Sequence, residues 1–232
     1  MPSEPRVSLA LDSPRAIAAV RLALATFASV ALVARFVWGL GSATFEPANF
    51  FGYLTVQCNI AYVAIEVVAA IAALHGRNES ARLANLRAIV LTCTVTSGIV
   101  FALIVSQSAL RGIRVDVPWS DIVLHFVLPC LALMEWMFVP RSDVRWRIVV
   151  FVLGYPLVWG VLTIIRGAIV QWYPYYFLDP RQLESAGEFF ALTSIALAVF
   201  LAVGSGLVFL PHRVTRRTAR DSGSPRLRGR RR

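Results

Sequence analysis

Long apolar runs broken by short polar stretches dominate the chain. A helix crosses the bilayer core with about 20 mostly apolar residues. Six segments meet that requirement, at roughly 16–40, 50–74, 86–110, 119–138, 148–170 and 189–210. The predicted fold class is all-α: a polytopic membrane protein with six transmembrane helices. Short connections make neighbours in sequence antiparallel neighbours in space. The domain division is a polar tail over 1–15, a six-helix domain over 16–210 and an arginine-rich tail over 211–232. Residues 1–15 do not read as a signal peptide, because the apolar run behind them is too long and lacks a clear cleavage site.

Composition agrees with this pattern. Of 232 residues, 57% are hydrophobic, and the mean hydropathy is +0.66, well above a soluble domain. All 23 basic residues are Arg. Nine of them follow Leu210, from Arg213 to Arg232. A run of that kind beside a membrane helix sets topology or touches anionic lipid, so the net charge of +10 does not point to nucleic acid. Eighteen arginines fall on the side of the termini and of the second and fourth loops, including Arg21 and Arg87. Three fall on the other side: Arg111, Arg114 and Arg181. The expected location is the cell membrane with both termini cytoplasmic. Cys58, Cys93 and Cys130 lie in apolar runs without metal-ligand spacing, which argues against a disulfide framework. No metal, cofactor or named protein partner is implied; the expected partners are membrane lipids.

Polar residues inside the spans carry the candidate chemistry, because lipid penalises stranded polar groups. Thr55 lies five residues past Phe50 and His125 six past Trp119, about 8–9 Å below the same membrane face if both helices start there. Thr55, Asn59, Tyr62 and Glu66 form one helical stripe, with Gln57 pointing elsewhere. Asp121 is one turn before His125, close enough for its carboxylate to orient the imidazole. Pro129 deprives the His125 carbonyl of its usual donor and predicts a kink. Nucleophilic chemistry fits: Thr55 as nucleophile, His125 as base, Asp121 as orienter and Asn59 as oxyanion donor. Each has a plainer reading. A Thr can bond its own helix, a His can pack neutral, and Asp121 can favour a helix N-terminus, where Ser120 and Asp121 also offer capping groups. Arg35 and Arg166 end outward-running spans and are candidate substrate-binding cations, or snorkel to headgroups. Glu66 and Glu135 lie at matching depth near the other face, available to a proton-coupled transporter or simply solvated. The aromatic run with Trp172 and Tyr173 suits an interface belt or a rigid lid over a cavity mouth. Gly204-Ser205-Gly206 suits close helix contact.

The run Tyr155-Pro156-Leu157, Arg166-Gly167 and Trp172-Tyr173-Pro174-Tyr175-Tyr176-Phe177-Leu178-Asp179-Pro180 resembles the bacterial Pr-six-Pr membrane protein family. So do Thr55-Val56-Gln57-Cys58-Asn59 and Asp121 to His125 followed by Pro129. The resemblance covers essentially all six spans. This chain departs at Tyr176, where a Pro is common, and at Cys58, where Ser is common. That family is remotely similar to the eukaryotic androgen-induced membrane proteins, intramembrane threonine hydrolases of fatty acid esters of hydroxy fatty acids. The resemblance implies that Thr55 and His125 are the corresponding pair. The expected function is therefore an intramembrane ester hydrolase acting on a lipid-like ester. The alternatives are a small transporter or lipid-binding protein without catalysis, and a structural partner in a membrane complex.

Overall fold

The computed structural model describes residues 13–110 and 115–209. Most of the polar N-terminal segment, Arg111 and Arg114, and the arginine-rich tail lie outside the described residues. Those described form helices and turns with no strand. Helices satisfy every interior backbone group within their own segment, which the bilayer core requires. In chain order they are α1 (Pro14–Leu40), α2 (Pro47–Phe50), α3 (Leu54–Leu74), α4 (Ala81–Leu110), α5 (Trp119–Ile122), α6 (Leu128–Phe138), α7 (Ile148–Val170) and α8 (Ala186–Phe209). A π-helical turn, Val123–Val127, joins α5 to α6, so the fourth span is composite. Six spans are long and apolar enough to cross a membrane, and the chain is a multi-pass membrane protein.

Helix α4 is the pivot, packing against α3, α6, α7, α8 and the π turn, while α1 lies along α3. Half of the most apolar window of α4 is buried, against 17% for α8. The exposed Val150, Phe151, Val158, Leu162 and Ile169 of α7 present the apolar surface that lipid would cover. Ser13 caps α1, its hydroxyl accepting from the Ala16 N–H at 3.1 Å, with Pro14 at the first helical position. The small-residue signal in α8 resolves to Gly204, against which Val152 of α7 and Thr92 of α4 pack; Gly206 has open space beside it.

Four spans are tied together at the end of the bundle where α1 begins. Arg21 and Arg87 enter the interior and meet Glu66, Glu79 and Glu135. The Arg21 Nε donates to Glu135 at 2.9 Å and its Nη2 to Glu79 at 2.7 Å. The Arg87 Nε donates to Glu66 and its Nη1 to Glu79, both at 2.9 Å, and its Nη2 donates to Glu135. All five side chains are almost fully buried. Arg87 and Arg141 also stand over the Trp136 ring, at 5.6 and 4.2 Å. This corrects two expectations. Glu66 and Glu135 are not solvated, and Arg21 and Arg87 are not loop cations. Setting those two aside leaves sixteen arginines against three, so the loop asymmetry survives. A buried charge must be paired, and a periodicity reading that treats each charge alone does not see its partner.

Candidate functional site

His125 sits in the π turn. The Leu128 N–H bonds back to the Val123 carbonyl, five residues away. Pro129 has no N–H, so the His125 carbonyl lacks the donor a regular helix would give it. The expected distortion therefore takes the form of a widened turn. That freed carbonyl rests against Gly98 of α4, where any Cβ would collide with it. The ring is held from two directions. Its Nδ1–H donates to the Asp121 carbonyl oxygen at 2.9 Å, and Phe101 stacks on its face with centroids 3.8 Å apart. A carbonyl only accepts, so in the neutral imidazole the free lone pair is on Nε2.

Thr55 is reached differently from the expected route. The chain makes α2 and a turn over 51–53 before α3 starts at Leu54. Thr55 is thus in the first helical turn, not five residues inside a helix begun at Phe50. Its backbone N–H is one of those that the helix leaves without an intrahelical acceptor, at the positive end of the dipole. Its hydroxyl lies 3.4 Å from the Tyr175 hydroxyl. Burial pushes the Tyr175 phenol up to about 12, so it stays a protonated donor. The rest of the polar stripe faces inward as expected: Asn59, Tyr62 and Glu66 are all buried. Gln57 points toward α7, where its Oε1 accepts from Tyr155 at 2.7 Å.

Two chambers meet at Thr55. One, of about 190 Å³, is the more polar and is lined by Arg35, Tyr53, Asp121 and His125 among apolar side chains. The second, of about 80 Å³, is apolar, with Val100, Trp159, Leu197 and Phe200 in its wall. Thr55, Phe101, Ile104 and Tyr175 line both. A third void of about 100 Å³ shares Val100, Ile104, Phe177 and Ala196 with the apolar chamber. It lies between α4 and α8 beside the exposed Leu103 and Ile195. Thr55 and His125 are therefore on one wall system, but among the described residues no hydrogen bond joins them.

The supporting residues take other partners than those expected. The Asp121 carboxylate receives the Arg35 Nε on both oxygens, at 2.9 and 3.0 Å, so it is the Asp121 carbonyl that orients His125. Neither Ser120 nor Asp121 caps α5; Pro118 stands at that position without a side-chain bond. The Asn59 Nδ2 donates to the Thr55 carbonyl at 2.9 Å, not toward the hydroxyl, and its buried Oδ1 has no partner among the described residues. Of the proposed binding residues, Arg35 lines the polar chamber. Arg166 does not: its Nη2 donates to Asn49 at 2.6 Å and its guanidinium stands 5.4 Å from the Trp172 ring.

Trp172 and Tyr173 belong to the lid that follows α7. The Trp172 ring meets Tyr53 edge-on at 5.4 Å, and the Tyr173 ring occupies the space where Gly167 has no side chain. Gln171 ends α7 in the left-handed region, φ 56°, which turns the chain back over the bundle. The lid is then pinned at Asp179, which accepts from the Arg181 Nε at 2.9 Å and from Gln182 at 3.0 Å. Those bonds hold the Asp179 carboxyl down at about 2.

Tyr175 and Tyr53 are the site residues that sequence reasoning did not single out. Both stand in aromatic surroundings that an interface belt explains equally well, and only the fold turns them onto Thr55 and Arg35. Cys58 and Cys93 are buried and free, and Cys130 is exposed and free. Comparison of the chain with protein-family models, with curated proteins and with solved structures returns no match in any of the three.

Proposed function

We propose that this membrane protein is an intramembrane ester hydrolase that cleaves a lipid-like amphiphile, with Thr55 as nucleophile and His125 as base. The observation that carries the reading is the position of Thr55, where a polar chamber holding His125 meets an apolar one. An amphiphile laid across that junction puts its chain in the apolar chamber, its head in the polar one and its ester bond at the hydroxyl. The resemblance to the Pr-six-Pr proteins, and through them to the androgen-induced threonine hydrolases, is part of the same proposal. So is a cell-membrane location with cytoplasmic termini.

The chemistry runs in two halves. The His125 Nε2 takes the Thr55 proton as Oγ attacks the ester carbonyl. The resulting oxyanion is met by the Thr55 N–H at the head of α3 and by the Tyr175 hydroxyl. Collapse breaks the ester C–O bond, and His125 returns the proton to the departing alcohol. Water then attacks the acyl-Thr55 carbonyl while His125 accepts its proton. Carboxylic acid leaves and the proton goes back to Thr55. In this scheme the Thr55 N–H and Tyr175 replace Asn59 as oxyanion donors, and Asp121 acts on His125 through its backbone.

A non-catalytic lipid-binding role is favoured by one observation, the lack of a hydrogen bond between Thr55 and His125. A proton-coupled transporter is less well supported, because Glu66 and Glu135 are each engaged by arginine. A serine-hydrolase-type fluorophosphonate probe separates these readings. The expected result is labelling of the wild-type protein that is lost in Thr55→Ala and in His125→Ala, with thermal melting of both variants unchanged. Equal labelling of all three proteins rejects the catalytic assignment.

A further inference from the structure

We infer that the gap between α4 and α8 is a lateral portal, in which the tail of a single-chain bilayer amphiphile lies with its far end still in the membrane. This rests on the two-chambered site proposed above, but on its occupancy by a chain and not on hydrolysis.

Close packing of the two helices is local. Gly204 of α8 meets Thr92 of α4, whose Cγ2 stands 3.5 Å from the place of an added Cβ. Crossing helices diverge away from such a contact. Towards the end where α3 begins, Val100 and Ala196 each lie eight residues from it, about 12 Å along their helices. There the interface holds voids instead of side chains. Val100 and Ala196, with Ile104 and Phe177, line both the apolar chamber and the third void. Ala196 contributes only a methyl group to that space. Apart from Gln107 and Tyr176, the described lining of the third void is apolar. Its wall includes Leu103 and Ile195, which are 43% and 50% exposed. The route from Thr55 therefore runs past Ala196 to a surface that lipid covers.

Capacity decides against a closed pocket. An apolar cavity of about 150 Å³ takes one benzene ring. Voids of about 80 and 100 Å³ therefore enclose on the order of seven carbons between them. A hexadecyl tail overfills that space and must leave it where the lining reaches lipid. Beyond the gap the tail exchanges lipid for lipid, since acyl chains are as apolar as the side chains they replace. Extra length then adds no affinity and costs none. The site reads the group at Thr55 and not the length of the tail.

The test uses the full-length Thr55→Ala protein in nanodiscs, so that nothing is turned over. The probe is hexadecyl 2-methoxyethyl ether, an ester mimic, carrying a diazirine at carbon 8 of its tail. Unlabelled ethers with octyl, dodecyl and hexadecyl tails compete at equal mole fraction in the bilayer. Saturable labelling is expected at Leu103 and Ile195, at least about tenfold above the exposed Val158 and Leu162 of α7. The three competitors are expected to agree within about threefold. Adding Ala196→Phe, which fills the passage, is expected to lower labelling of the gap about tenfold. Ala198→Phe, at an exposed position on α8, is expected to leave it unchanged.

The proposal is overturned if α7 is labelled as strongly as the gap, which is annular lipid only. It is overturned if the label runs instead past Gly160 to the exposed Val161, an exit beside α7, or if no saturable label appears. A hexadecyl competitor more than about tenfold weaker than the octyl one means a closed pocket and overturns it too. These readouts do not depend on whether the Ala196 variant folds. Saturable labelling of the gap in a protein that, with Thr55 intact, takes no fluorophosphonate keeps the portal and rejects the hydrolase. Fluorophosphonate capture at Thr55 without labelling of the gap does the reverse.

Discussion

Replacing Arg87 by Met tests the buried ionic cluster directly. Arg87 donates to Glu66 and Glu79 at 2.9 Å and also to Glu135, with its side chain only 2% exposed. Methionine keeps the length and apolar stem but leaves three buried carboxylates that have lost one of the two arginines bonded to them, with Arg21 still in place. Removing one partner of a buried pair costs about 3–5 kcal/mol, because the charge left behind has lost both water and its counter-ion. For a chain of this size that corresponds to a drop in Tm of about 6–20 °C. The assay is thermal unfolding in detergent, with the exposed Arg82→Met as control, expected within about 0.5 kcal/mol of wild type. Glu66→Gln added to Arg87→Met should recover part of the loss, because it removes one of the stranded charges. If Arg87→Met melts with the wild type, the four-span ionic tie does not hold the bundle together and the packing argument fails.

Three further outcomes are expected. Tyr175→Phe keeps the ring stack on Phe177, 5.5 Å between centroids, but removes the hydroxyl beside Thr55. Its fluorophosphonate labelling rate should fall about 10²-fold with little change in Tm; an unchanged rate would exclude Tyr175 as an oxyanion donor. Gly98→Ala drives a Cβ into the His125 carbonyl and should cost about 1–3 kcal/mol as well as slow labelling, whereas Gly206→Ala, with nothing near it, should do neither. The Asp179 carboxyl is depressed to about 2 in the folded chain, below about 3.9 for a free Asp. Its contribution to the lid is therefore fully present above about pH 4 and is lost as pH falls through about 2. Trp fluorescence should be flat from neutral pH down to about pH 5, and Asp179→Asn should loosen the lid at neutral pH. A lid transition near neutral pH in the wild type would contradict this.

Much of the fold is legible in the chain because the bilayer is a harsh and uniform solvent. Span three illustrates the limit: its apolar run starts near Leu86, while the helix begins at Ala81 and carries Arg87 inward. Hydropathy marks what lipid tolerates, and Arg87 is tolerated only because three glutamates from other segments surround it. Span two shows the opposite error. Apolarity from Phe50 onward looks continuous, but the chain turns before Leu54. That shift moves Thr55 from mid-helix to the first turn, where its N–H has no intrahelical acceptor and faces Tyr175. The π turn at His125 was foreshadowed by Pro129, and its partner Gly98 was not, since nothing local links residues on different helices.

The linear chain alone determined the number of spans, their approximate limits, the inward stripe on α3 and the two polar side chains worth attention. These follow from local composition and from helical period, which act over neighbouring residues. Only the tertiary structure decided the pairings: Arg35 with Asp121, Arg166 with Asn49, Arg21 and Arg87 with three glutamates, and Tyr175 with Thr55. A charge or hydroxyl has no direction in a sequence. Its partner is whichever complementary group the packing of distant helices brings within about 3 Å, and in an apolar medium that partner settles whether the group binds a ligand or holds the protein together.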